Sequence, residues 1–316
     1  LEIVFERVAL IGVGLIGSSI SLAIRKHDLA QNIVGHTKSS ESTRLALELG
    51  LADKMYPSPE EAVENADLVI LCTPVGTFET IANKIGPKLK QGSILTDVGS
   101  VKRFVIDKIV GHVPDNVHFI PSHPLAGTEF SGPESGFAEL FENRWCLMTP
   151  LKGTDPDKVA ELSNFWQTLG SKVELMDPDH HDTVLAVTSH VPHLIAYTMV
   201  GTADHLHRIR NSEVIQYSAA GFRDFTRIAA SDPTMWRDVF LSNKDATLDI
   251  LGRFTEELFA LQRLIRTENG PELFDYFHKT RAIRQGIIEA GQDTASPDFG
   301  RSTSAISKTR GKSQKP

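Results

Sequence analysis

Along the first half of the chain, short continuous apolar runs alternate with stretches whose apolar residues recur at helical spacing. Arg7 to Val13 is a run of the kind found in a parallel strand covered on both faces. Leu15 to Lys26 follows with helical spacing. Ile33 to His36 reads as a second strand, and Glu41 to Leu49 as a helix closed by Gly50. Further strands are expected at Ala66 to Thr73, stopped by Pro74, at Ser93 to Asp97 and at Val117 to Pro121. Helices are expected at Phe78 to Leu89 and Val101 to Val110. Two more strands, Trp145 to Thr149 and Val173 to Met176, flank a helix from Asp157 to Leu169 and are expected to extend the same sheet. The alternation predicts an α/β architecture with a doubly wound, mainly parallel sheet.

From Pro178 onward the pattern changes. Helices are expected at Asp179 to Leu206, Ser212 to Ala220, Pro233 to Gly252, Arg253 to Glu268 and Pro271 to Ala290, with no strand between them. The expected division is a sheet domain at 1–177, an all-helical domain at 178–293 and a disordered tail at 294–316.

Composition narrows the function classes. The chain of 316 residues is 41% hydrophobic and 23% charged, which is ordinary for a globular protein. Its net charge is -7, and the last sixteen residues carry five positive charges and no acid, so the remainder stands at -12. So acidic a body argues against a nucleic-acid partner. No apolar run approaches the roughly 20 residues that span a bilayer, and no membrane partner is expected. Cys72 and Cys146 lie in apolar runs and read as buried free thiols, which fits a reducing, cytoplasmic setting.

The residues Gly12 to Gly17 (GVGLIG) match the dinucleotide fingerprint G-x-G-x-x-G. The match closes an expected strand and opens an expected helix, as a Rossmann-type fold requires. Gly12 permits the tight turn, Gly14 lets the backbone approach a pyrophosphate, and Gly17 lets helix and strand pack closely. Leu15 and Ile16 then sit in the first helical turn, whose N–H groups face the phosphates. At the end of the second strand no acid follows; Thr37 and Lys38 stand there, leaving NAD and NADP both open. Thr73 and Pro74 end a strand at the sheet edge that faces ligands, and read as cofactor neighbours or as a strand stop.

Three further segments carry candidate chemistry: Asp97 to Lys102 (DVGSVK), Ser122 to Glu129 (SHPLAGTE) and Ser189 to His193 (SHVPH). Asp179, His180, His181 and Asp182 also cluster. Their spacing is not that of a closed tetrahedral metal site, and they read as a helix start, with acids at its positive end; no metal is expected.

Together, SHPLAGTEFSG, DVGSVK, SHVPH and GFRDFTRIAASDPTMWRD resemble the prephenate/arogenate (cyclohexadienyl) dehydrogenase family of tyrosine biosynthesis, over residues 7 to 290. The resemblance implies oxidative decarboxylation of a cyclohexadienol, with hydride transfer to NAD(P)+. The substrate would be prephenate, giving 4-hydroxyphenylpyruvate, or arogenate. His123 would take the hydroxyl proton, as a histidine can near neutral pH. Ser100 would stand beside it, with helix N-capping as its competing role. Arg227 would bind a substrate carboxylate, braced by Asp224. His193 and His190 would line the pocket, Glu129 would stand at its mouth, and Trp236 would pack at the pocket or in the core. An apolar helical stripe (Phe254, Leu258, Leu261, Leu264, Ile265) resembles the family's dimerisation domain and implies a homodimer, with intramolecular core as the other reading. A rival hydroxyacid dehydrogenase would place a catalytic Lys where this chain has His190 and His193. A rival nicotinamide-sensing protein would have no use for His123, Ser100 and Arg227 together.

Overall fold

The computed structural model describes residues 5–128, 130–210 and 219–289. Six parallel strands form the first sheet: β1 (Phe5–Ile11), β2 (Ala30–His36), β3 (Lys54–Met55), β4 (Leu68–Leu71), β5 (Ile94–Asp97) and β6 (His118–Phe119). Their order is β3-β2-β1-β4-β5-β6, so the chain changes direction across the sheet at β1. Ile11 pairs with His36 on one side and Leu71 on the other. In such a sheet the crevice for a ligand opens beyond the carboxyl ends of the strands at this switch.

The apolar runs are continuous because both faces are covered. Val8, Leu10, Leu68, Ile70 and Ile94 enter one core, whereas Ala9, Ile11, Val69, Leu71 and Leu95 enter the other. The covering helices are α1 (Leu15–Lys26), α2 (Ser40–Glu48), α3 (Pro59–Val63), α4 (Phe78–Ile85) and α5 (Arg103–Ile109). Gly50, at φ +66°, follows α2 as expected of a C-terminal glycine.

The last strands do not extend this sheet. β7 (Ser122–Pro124), β8 (Trp145–Met148) and β9 (Lys172–Leu175) form a second one, antiparallel between β7 and β8 and parallel between β8 and β9, with α6 (Pro156–Thr168) as the crossover. The reason lies at Pro121. Ile120 N still donates to Leu95 O (2.9 Å), but Pro121 has no N–H to continue that ladder, and its carbonyl accepts from Thr149 N (2.9 Å).

The rest is helical: α7 (Pro178–Leu185), a wide π turn at Ala186–His190, α8 (Val191–Arg210), α9 (Ala220–Thr226), a 3-10 turn at Arg227–Ala230, α10 (Pro233–Ser242), α11 (Lys244–Arg266) and α12 (Gly270–Glu289). Asp177 caps α7 by accepting from Asp179 N (2.9 Å) and His180 N (3.2 Å). The helix break falls at Asn243 (φ −111°, ψ 41°), not between Gly252 and Arg253. The Asn243 side chain is drawn into buried hydrogen bonds, described below, while Gly252 continues the helix at a cost of about 1 kcal/mol. Contrary to the sequence reading, Pro178–His205 is by length and composition able to cross a bilayer; in this fold it carries His181, Asp182, His190 and His193. The expected helix at Ser212 to Ala220 lies mostly outside the described residues, as does the tail. The chain divides after Leu251 into two compact units, and every site residue described below lies in the first.

Candidate active site

The glycine loop follows β1 directly. Gly12 has φ +97°, and a Cβ there would meet Thr73 Cγ2 at 2.8 Å and the Cys72 carbonyl carbon at 2.9 Å. A Cβ on Gly17 would fall 2.3 Å from Gly12 O, so the first turn of α1 packs on the loop itself. Gly14, the N-cap of α1, differs: no protein atom lies within 4 Å of its ideal Cβ. Its glycine is therefore not required by the protein's own packing. With no acid in the first turn of α1, the helix N-terminus at Leu15 and Ile16 is open to an anion. A dinucleotide pyrophosphate fits this cradle.

At the end of β2, His36 Nδ1 bonds the Tyr56 carbonyl (3.0 Å), and Thr37 Oγ1 bonds Ser39 O (3.1 Å) and Thr43 Oγ1 (3.0 Å). Lys38 is exposed. After β4, Thr77 Oγ1 donates to Thr73 Oγ1 (2.8 Å) and Pro74 O (2.7 Å), which shapes the edge beside the glycine loop.

A buried ion pair fixes the chemistry-bearing loops. Lys102 Nζ lies 2.5 Å from Asp97 Oδ2 and 2.7 Å from Ser122 O, and both charged side chains are fully buried. Asp97 also accepts from Gly99 N (2.8 Å) and Ser122 N (3.3 Å). Burial pushes the Asp97 carboxyl up and the Lys102 ammonium down, while each charge pulls the other back. The pair ties the loop after β5, which holds Ser100, to the start of β7, which holds His123. Thr96 Oγ1 to Ser122 Oγ (3.0 Å) adds a second tie at the same sheet edge. Ser100 does not cap a helix: α5 begins at Arg103, and Asp182 accepts from Lys102 N (2.7 Å) and Arg103 N (3.0 Å) in its place.

His123 is 7% exposed. Its Nδ1 is 2.9 Å from His181 Nε2, and His181 Nδ1 is 2.8 Å from Asp182 Oδ1. Burial first, then the charges of His181, Lys102 and His190, hold His123 well below the usual imidazole range. His190 is pushed down to about 4, chiefly by burial. Asn243 Nδ2 donates to Asp182 O (2.8 Å) and meets His190 Nδ1 (3.1 Å), so His190 carries its proton on Nε2. That atom approaches the Ser100 backbone without reaching hydrogen-bond geometry.

His193 Nδ1 donates to Ser189 O (2.8 Å), and its ring stacks on Trp236 with centroids 3.6 Å apart. Burial, then the charge of Arg227, lowers its pKa. Trp236 does both things the sequence left open: it belongs to a hydrophobic core, and its ring faces His193 and His190. Arg227 opens the 3-10 turn after α9, half-buried, while Asp224 is exposed. Glu129 lies outside the described residues. Sequence reading passed over Asp97, Lys102 and Asn243, and saw in His181 and Asp182 only a helix start. Their partners are distant in sequence, 58 residues in the case of His181 and His123.

With this geometry in view, the comparisons are specific. The family profile described as prephenate dehydrogenase, nucleotide-binding domain, matches residues 20–175, and that of the prephenate dehydrogenase dimerization domain matches residues 177–279. The chain is similar to a cyclohexadienyl dehydrogenase of Zymomonas mobilis, 38% identical over 284 residues, covering 90% of this chain and 97% of that protein. It is similar to a prephenate dehydrogenase of Bacillus subtilis, 35% identical over 283 residues, covering 89% and 76%. Its fold resembles that of a prephenate dehydrogenase from A. aeolicus solved in complex with hydroxyphenyl propionate and NAD+. That match has a TM-score of 0.83 and 35% identity, covering 89% of this chain and 98% of the other.

Proposed function

The chain belongs to the prephenate dehydrogenase family and is an oxidoreductase; on that premise we propose that it oxidatively decarboxylates prephenate to 4-hydroxyphenylpyruvate. The observation that carries the reading is the state of His123. Its Nδ1 is engaged by His181, so Nε2 is left to accept the substrate hydroxyl proton. When bound, the nicotinamide takes the hydride from the hydroxyl-bearing carbon. His123 takes the hydroxyl proton as that hydride leaves. The ring carboxylate departs as carbon dioxide, its bonding electron pair flows through the ring to the oxygen, and the proton returns there to give the phenol. Arg227 anchors a substrate carboxylate, Asp224 orders its loop, and His193, Trp236 and His190 wall the ring's pocket, with Glu129 at its mouth. Ser100 stands at the loop beside His190, placed to hydrogen-bond the substrate hydroxyl.

The Zymomonas relative's name supports a second reading, in which arogenate is also accepted. The NAD+-bound relative supports NAD+ as acceptor, and the acid-free end of β2 beside Lys38 supports tolerance of NADP+. The dimerization-domain match and the apolar helices support a homodimer. Two sheltered free cysteines support a reducing, cytoplasmic setting. The domain division 1–177 and 178–293 follows the two matched profiles.

The test is absorbance of reduced nicotinamide with prephenate or arogenate, each paired with NAD+ or NADP+. Turnover with prephenate is expected. Turnover with arogenate alone would move the substrate, and no reduction in any mixture by a folded, nucleotide-binding protein would overturn the reading.

A further inference from the structure

Behind His123 runs a chain of three side chains, and its hydrogens have one self-consistent arrangement. The Asp182 carboxylate offers lone pairs only. Three N–H groups meet it: Lys102 N at 2.7 Å, Arg103 N at 3.0 Å and His181 Nδ1 at 2.8 Å. His181 therefore carries its proton on Nδ1, and its Nε2 is a bare acceptor. His123 Nδ1, 2.9 Å away, must then donate. The reverse arrangement would aim the lone pair of His181 Nδ1 at a carboxylate, inside a site where His181 is fully buried.

We propose that His181 and Asp182 are positioning residues for the proton transfer, holding His123 in the tautomer with Nδ1 protonated and Nε2 bare, and sharing its positive charge once the substrate proton arrives. The inference rests on His123 as the base of the reaction proposed above. When the hydroxyl proton reaches His123 Nε2, the ring becomes an imidazolium. Its Nδ1–H bond to His181 then becomes charge-assisted, and the Asp182 carboxylate lies one ring further along the same line. When the electron pair released with carbon dioxide reaches the oxygen, the proton returns from Nε2 and the chain relaxes. The logic is that of a hydrolase triad, where the acid fixes the tautomer of the base, with a second imidazole inserted.

The same carboxylate also organises the loops. By capping the N-terminus of α5 it holds the segment that carries Ser100, and its backbone carbonyl receives Asn243, which in turn fixes His190. Asp182 thus sets the rings of His123 and His190 and the Ser100 loop from one point, which is why the cleaner test is at His181.

The experiment compares wild type, His181→Phe and His181→Gln in the full chain. His181→Phe removes the acceptor for His123 Nδ1–H, and kcat is expected to fall about 100- to 1,000-fold, within the range known for general-base and tautomer defects. KM for substrate and Kd for the nucleotide should stay within about threefold, because neither contact passes through His181. His181→Gln offers an amide oxygen to His123 and should recover about tenfold of the lost kcat. In ¹⁵N-NMR of histidine-labelled protein, wild-type His123 should show a protonated Nδ1 and bare Nε2, and His181→Phe should lose that preference. A purely structural role would leave the His123 spectrum unmoved. A kcat for His181→Phe within about threefold of wild type overturns the proposal, as does a wild-type His123 protonated on Nε2. If His181→Phe does not fold, the wild-type spectrum and His181→Gln still decide. If wild type turns over neither substrate, the functional reading fails, and the spectrum judges the tautomer separately.

Discussion

A base works only when it is unprotonated, and His123 is built to be unprotonated. Burial and the neighbouring His181, Lys102 and His190 depress its pKa, and all of these oppose a positive charge at the ring. Protonation of the free enzyme therefore abolishes activity only below pH 6.5. The prediction is a kcat/KM profile that is flat through neutrality and falls on the acid side with an inflection below 6.5. Because His123 and His181 are in contact, that inflection belongs to the pair. An inflection at or above 6.5 would mean that the ring is far better solvated than its 7% exposure implies. At this scale the sequence was informative where motif and chemistry coincide: His123 and Ser100 come from short segments at strand ends. It was uninformative about His181 and Asp182, because an acid-rich helix start already has a sufficient local explanation in capping and the helix dipole. The pairing that gives them a second role crosses 58 residues and depends on how β7 meets α7.

The glycine loop separates two reasons for having a glycine, and the separation can be measured. Gly17 is required by packing, since a Cβ would sit 2.3 Å from Gly12 O and the backbone of α1 or the loop must move. Gly14 meets no protein atom, and its φ of −92° suits any residue, so its small size serves what binds there. Gly14→Ala should keep the wild-type melting temperature within about 1 °C while raising the nucleotide Kd about 10- to 100-fold, equivalent to roughly 1.4–2.8 kcal/mol. Gly17→Ala should lower stability by about 1–3 kcal/mol as an overpacked site does, alongside any loss of binding. Thermal melts and nucleotide titrations on the two variants check this; equal stability loss in both would place Gly14 in the packing class. Elements of this kind were legible because strand, turn and helix lie next to each other in sequence. The helix break at Asn243 was not, since Gly252 is the stronger local signal. The break is set instead by a side chain bonded to Asp182 O and His190 Nδ1.

For the molecule as a whole, the order of the six parallel strands follows from alternating periodicity and right-handed crossovers. The split into two sheets turned on one missing N–H, at Pro121. What the fold leaves exposed is equally instructive. On α11 and α12, Phe259 is 64% exposed, Phe274 68% and Phe277 54%, with Leu258, Ile265 and Ile283 also exposed. The alternative reading of the helical stripe as intramolecular core does not account for these side chains. Large apolar surface of this sort marks an interface, and the match of residues 177–279 to a dimerization domain gives the partner as a second copy. In a two-fold interface each substitution enters twice, so Phe274→Glu with Phe277→Glu removes four rings. At about 1.5–3 kcal/mol per buried side chain that is roughly 6–12 kcal/mol, at least four decades in the dissociation constant. Sedimentation of the wild-type chain at micromolar concentration is therefore expected to give twice the 34.8 kDa protomer mass, and the double variant the protomer mass alone. A wild type that sediments as a protomer would leave the apolar faces of α11 and α12 to some other partner. A double variant that stays dimeric would move the interface to another part of residues 177–279.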